Sequence, residues 1–211
     1  RKNTQIKSTI QIQNDTSVRI LQNDWLKGKN EICDGYIKSI RQAKKDIIII
    51  GSYFLPGSRI IQALKKASKN KVTIKLILSG KSDLPMTRRA TCFLYDKLLK
   101  YNIELYEWDQ SVLHGKVAVI DENWSTIGSF NLNNLSSYGS LEMNVEIRSR
   151  SFSSEFRTHL NGVISQCQSI TKESLKTKTT IMTKFINLFS YVITRMIELV
   201  VTYTPYKRFY N

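Results

Sequence analysis

Four consecutive isoleucines, Ile47 to Ile50 in the segment KDIIIIGSYF, constrain this chain more than any other feature. β-Branched residues favour extended backbone, and a strand that is apolar on both faces must be covered on both sides. The neighbouring sequence supplies the covers. Residues 30–45 place Ile32, Tyr36, Ile37, Ile40 and Ala43 at helical spacing, and RIIQALKKASK (59–69) is a compact amphipathic helix. KVTIKLIL (71–78) reads as a second buried strand, TRRATCFLYDKLLKY (87–101) as a helix and NIELYEW (102–108) as a strand. LHGKVAVID (113–121), WSTIGSF (124–130) and LEMNVEIRS (141–149) read as three more strands, the first two joined across Asp121-Glu122-Asn123. VRIL (18–21) adds a short strand followed by a polar loop to Asn30, and 150–172 a covering helix. Alternating strands and helices, then adjacent strands, predict an α/β fold: a mixed β-sheet flanked by helices on both faces.

The expected organisation is a single lobe over 18–172. Residues 1–17 form an extended or disordered N-terminal segment with a possible strand at TIQIQ (9–13). Residues 173–211 form a polar linker and a C-terminal amphipathic helix. On a helical wheel, Ile181, Phe185, Ile186, Leu188, Phe189, Val192, Ile193, Met196, Leu199 and Val200 share one half of segment 181–202. Lys184, Asn187, Ser190, Thr194, Arg195 and Glu198 share the other. Three charges spoil a bilayer-spanning helix, so a helix lying in a membrane interface fits better. Packing of this helix on its own domain or on another lobe is the alternative.

The charge balance narrows the partners. Thirty-two Lys and Arg against 17 Asp and Glu give +15 over 211 residues, which favours a polyanion, either nucleic acid or an anionic membrane surface. An apolar content of 41% excludes a wholly disordered basic chain. Cys33, Cys92 and Cys167 are scattered, which argues against a disulfide framework and a cysteine-built zinc site. With only His114 and His159 available, no multi-histidine metal centre is expected, and no cofactor is implied.

The densest set of reactive residues runs HGKVAVIDENWSTIGSFN, from His114 to Asn131. Two residues apart on a strand, His114 and Lys116 would point to one face. An ammonium there lowers the basicity of the imidazole and suits a neutral nucleophile facing an anionic phosphoryl group. Gly128 permits a close turn, and Ser129 and Asn131 supply donors for phosphate oxygens.

The spacing H-x-K-x4-D-x6-G-S-x-N is similar to the signature of the phospholipase D superfamily. VRILQND, the YF-x-P of Tyr53, Phe54 and Pro56, and LILSGKSDLP extend the likeness over about 18–147, and it most resembles the C-terminal half of bacterial cardiolipin synthases. The resemblance implies that His114 is nucleophile or general acid/base, and that Lys116 and Asn131 bind phosphoryl oxygens. It implies that Ser129 helps hold the site and that Asp121 orders the turn after its strand. A downstream carboxylate, Glu142 with Glu146 as runner-up, would fix the histidine tautomer. Lys81, Arg88 and Arg89 are candidates for contact with a lipid phosphate or headgroup.

The family reaction needs two motifs facing each other and proceeds without metal through a phosphohistidine. Here there is one, because His159 in FRTHLNGV has no Lys two residues on. The implied partner is a second phospholipase D-type lobe, either an absent N-terminal half, which the missing initiator Met favours, or a second copy. The expected activity is phosphatidyl transfer acting on phosphatidylglycerol at a bacterial cytoplasmic membrane, with peripheral attachment. A homodimeric nuclease or phosphodiesterase of the superfamily, acting on nucleic acid, and a non-catalytic membrane-binding lobe are the alternatives.

Overall fold

The computed structural model describes residues 16–203; the expectations for residues 1–15 and for the tail 204–211 lie outside the described residues. Nine strands form one sheet: β1 (Ser17–Asp24), β2 (Lys29–Asn30), β3 (Asp46–Gly51), β4 (Thr73–Lys81), β5 (Glu104–Val112), β6 (Lys116–Ile120), β7 (Trp124–Gly128), β8 (Leu141–Arg148) and β9 (Gln168–Ile170). Their spatial order is β2-β1-β8-β7-β6-β3-β4-β5-β9. β3, β4 and β5 are parallel, and every other pairing is antiparallel. The helices are α1 (Glu31–Gln42), α2 (Ser58–Lys69), α3 (Pro85–Lys100), α4 (Asn134–Tyr138), α5 (Arg150–Ile164), α6 (Lys172–Lys178) and α7 (Ile181–Tyr203).

The isoleucine run lies at the centre of this sheet and feeds two cores in alternation. Ile47 and Ile49 pack into the larger core with Ile40 of α1, Leu64 of α2 and Leu94 of α3. Ile48 and Ile50 pack into the smaller one with Leu160 and Phe156 of α5. A strand buried on both faces is therefore a consequence of helices on both sides.

Only part of the α5 side is covered. Alternation along β1 puts Leu21 under α1 and turns Val18 and Ile20 to the other face, where they are exposed. Their partners across β8 and β7 are Ile147, Val145 and Ile127, and Leu141 and Met143 continue the same exposed face. The result is an apolar, solvent-facing half-sheet beside α5.

Three segments differ from expectation. The loop after VRIL is a continuation of β1 and a hairpin to β2. The covering helix ends at Ile164, and β9 follows, pairing with the edge of β5. The expected polar linker begins as α6, whose Thr171 side chain accepts from Ser174 N while Ser174 Oγ accepts from Thr171 N. That reciprocal cap stabilises a helix with little apolar periodicity.

Candidate active site

Strand register brings the motif together. Gly51 at the end of β3 pairs with Lys116 at the start of β6, and Val117 opposite Ile127 carries Lys116 to the level of Gly128 at the end of β7. Gly128 in turn pairs with Asn144 on β8, two residues from Glu142. The ends of four strands thus meet at one edge of the sheet.

Each end is fixed locally. His114 lies before β6 rather than within it, on a loop pinned where Ser52 Oγ donates to the Gly115 carbonyl at 2.9 Å. Leu55 N donates to Leu132 O at 2.9 Å, which ties the loop after β3 to the loop after β7. At Gly128 a Cβ would stand 2.2 Å from Asn144 Oδ1 and 2.3 Å from the Met143 carbonyl, so only glycine permits the approach. The same Asn144 Oδ1 accepts from Phe130 N at 3.2 Å, and its amide donates to Thr126 Oγ1 at 3.0 Å.

His114 and Lys116 converge on Tyr53 rather than on a common strand face. The His114 ring meets the Tyr53 ring edge-on with centroids 6.2 Å apart, and Lys116 Nζ lies 5.9 Å from the centre of the same ring. Lys116 is only 7% exposed, and its Nζ donates to the His114 carbonyl at 3.1 Å. Burial pushes its ammonium below its ordinary value, while the Glu142 and Asp83 carboxylates pull it back up. The Tyr53 hydroxyl donates to Asp83 at 2.7 Å. Its phenol is pushed up to about 12 by burial and by that carboxylate. Asp83 is held below the usual carboxyl value, first by the Tyr53 hydrogen bond, with the nearby His114 contributing.

The Glu142 carboxylate accepts from Ser129 Oγ on one oxygen and from Ser136 Oγ at 2.7 Å on the other. Among the described residues no hydrogen bond joins it to His114, so the tautomer-fixing contact implied by the resemblance is not present in this lobe. Ser129 Oγ also accepts from Met143 N at 3.1 Å, and Asn131 Oδ1 is buried without a hydrogen-bond partner among the described residues.

Several expected site residues lie elsewhere. Asp121 sits at the far end of β6, at φ 50°, and accepts from the backbone amides of Lys44, Lys45 and Asp46. Glu146 is buried beneath α1, accepting from Trp124 Nε1 at 2.8 Å and Arg19 Nε at 2.9 Å, which removes it as the alternative to Glu142. Arg88 turns inward to pair with Glu107 and to donate to Gly80 O, so it is engaged within the fold. Lys81 is exposed at the end of β4, and Arg89 is exposed on the rim of a cleft shared with Thr183 and Asn187 of α7. Tyr53, Asp83 and Asn144 join the site without a motif signal of their own. Tyr53 and Asp83 fall in the YF-x-P and SDLP segments, which carried resemblance but no reactive spacing, and Asn144 gave no signal.

A mixed sheet gathering one His-x-Lys pair, a serine, an asparagine and a glutamate at its strand ends defines a phospholipase D-type lobe. Residues 36–164 match the domain family described as "Cardiolipin synthase, PLD-like domain", and the chain belongs to that family. It is 38% identical over 166 residues to cardiolipin synthase B of Escherichia coli K12, covering 78% of this chain and 40% of that protein. It is 31% identical over 144 residues to the minor cardiolipin synthase ClsB of Bacillus subtilis, covering 68% of this chain and 36% of that protein. The chain thus spans about two fifths of the length of these curated relatives. In fold it is similar to Nuc, a phospholipase D family member from Salmonella typhimurium (TM-score 0.63, 20% identity, 74% of this chain and 99% of that one). It is also similar to phosphatidylserine synthase of Haemophilus influenzae (TM-score 0.67, 13% identity, 93% and 49%).

Proposed function

We propose that this chain is one lobe of a phosphatidyltransferase that forms cardiolipin-type lipids from phosphatidylglycerol at the bacterial cytoplasmic membrane. The observation that carries this is the convergence of His114 and the buried Lys116 on Tyr53 at the edge where Ser129 and Asn131 emerge. The likeness to cardiolipin synthases of Escherichia coli and Bacillus subtilis supports the substrate class.

In the proposed reaction one of two histidines, His114 or its counterpart in a second lobe, attacks phosphorus with an imidazole nitrogen. The P–N bond forms as the P–O bond to the leaving alcohol breaks, and the other histidine protonates that alcohol. The same histidine then takes the proton of the incoming lipid hydroxyl, whose oxygen displaces the imidazole. Lys116 and Asn131 hold the non-bridging oxygens, where negative charge resides. Glu142 keeps Ser129 in place and supports the charge on Lys116, and Asp83 orients Tyr53 against both. The reaction draws on no metal.

One motif supplies either nucleophile or acid, so a second lobe is required. The bare half-sheet of Val18, Ile20, Ile127, Leu141 and Met143 borders the site and is the surface on which that lobe would close. Sedimentation combined with an assay of cardiolipin formation tests this: the chain as a monomer should be inactive, and an active monomer would overturn the two-lobe reading. The nuclease alternative draws on the +15 charge and predicts DNA cleavage in the same assay.

A further inference from the structure

A helix that packs on a water-soluble domain ordinarily turns its apolar stripe inward. α7 does the reverse. At 100° per residue, half of its circumference is apolar without interruption, and that half faces outward: Met182, Phe185, Phe189, Met196 and Leu199 are each 59–69% exposed. The docked half is polar. Ser190 and Glu198 are buried, Arg195 Nη1 binds Glu198 at 2.9 Å, and Arg195 Nη2 donates to the Pro56 carbonyl at 2.6 Å. Tyr191 lies against Phe93 of α3 with ring centroids 4.7 Å apart.

These contacts fasten α7 to the loops that carry the site. Pro56 follows Tyr53 by three residues, and Asn134, whose backbone hydrogen-bonds Glu198, follows Asn131 by three. Leu84 and Met86, at the start of α3 beside Asp83, are exposed as well.

We propose that α7 is a membrane seat: its outward half lies in the boundary between headgroups and acyl chains of an anionic bilayer, while its polar half holds the lobe with the catalytic strand ends turned to the lipid. The choice of an anionic phospholipid surface rests on the phosphatidyl-transfer reading. The outward half is one uninterrupted apolar stripe of about 30 Å, and the exposed Lys184 lies next to it on the wheel, the pattern of a helix seated in a lipid interface. Charge agrees with lipid: residues 172–203 carry five Lys or Arg against two Glu, and Arg195 and Glu198 pair with each other. The bare half-sheet, on the opposite side of the sheet from α3 and α7, is a separate surface for a second lobe. The helix lies along the bilayer rather than across it, because Arg195 and Glu198 are engaged with the domain.

The test floats the full chain with vesicles of phosphatidylethanolamine and phosphatidylglycerol, and with phosphatidylcholine alone. The wild type should float with the anionic vesicles. Phe185→Glu/Phe189→Glu/Met196→Glu should lower partition by about 1,000-fold or more with unchanged circular dichroism and melting, since all three side chains are exposed. Brominated lipid should quench a Phe189→Trp reporter and leave Lys69→Trp, at the far end of α2, unquenched. His114→Ala should float as the wild type does, which separates the seat from the chemistry. The proposal is overturned if the triple variant floats unchanged or if both reporters quench equally. It is also overturned if the chain ignores vesicles and forms a dimer that the triple variant dissociates, which would assign the stripe to a second copy.

Discussion

An ammonium held out of water is destabilising unless its charge is used, and Lys116 carries such a charge. Its carboxylate neighbours only partly offset burial, so the folded protein holds this proton less tightly than the unfolded chain does. Lys116→Met should therefore raise the melting temperature by about 1–3 °C while removing transfer activity; a lower melting temperature would mean that the lysine is structural. Asp121 behaves in the opposite sense. Its carboxylate caps three successive amides at the start of β3, and it occupies left-handed backbone that alanine tolerates poorly. Asp121→Ala should cost about 2–4 kcal/mol in urea unfolding and leave Tyr53, His114 and Lys116 in place. The motif aspartate is then a folding residue at the far end of the strand that bears the lysine.

At the scale of elements, Glu146 fastens β1, β7 and β8 beneath α1. Burial alone would push its carboxyl up, but hydrogen bonds from Trp124 and Arg19, with Arg148 nearby, hold it below its ordinary value. A depressed carboxyl stabilises the fold fully above its unfolded value near 4.5 and loses that contribution as pH falls through the folded value. Glu146→Gln should cost about 1–2 kcal/mol at neutral pH and flatten the acid side of a melting-temperature profile; an unchanged acid limb would contradict this. The central elements were legible because isoleucine runs and helical spacing encode burial directly. β9 was not, since QSI is three residues paired with an edge, and α6 declares itself only through its Thr171–Ser174 cap. His114 reads as strand by alternation, yet Ser52 from another element holds its loop. The amphipathic wheel of α7 was readable, but the half that docks depends on Pro56 and Phe93, which no local pattern contains.

On the scale of the whole molecule, one lobe presents two apolar surfaces on opposite sides of its sheet and one reactive edge between them. Under the proposed function the half-sheet beside α5 would receive the second motif, and α7, as the proposed membrane seat, would bring that edge to lipid. The excess of positive charge suits either phospholipid or nucleic acid, and the substrate that reacts separates the two readings. The most direct measurement follows phosphatidylglycerol vesicles and supercoiled DNA in parallel, using the assembled protein with both motifs present and its His114→Ala variant. Cardiolipin and free glycerol should form while the DNA stays intact, and transfer should fall about 1,000-fold or more in the variant. Cut DNA with untouched phosphatidylglycerol, or a well-folded His114→Ala protein with near wild-type transfer, would contradict phosphatidyl transfer at His114.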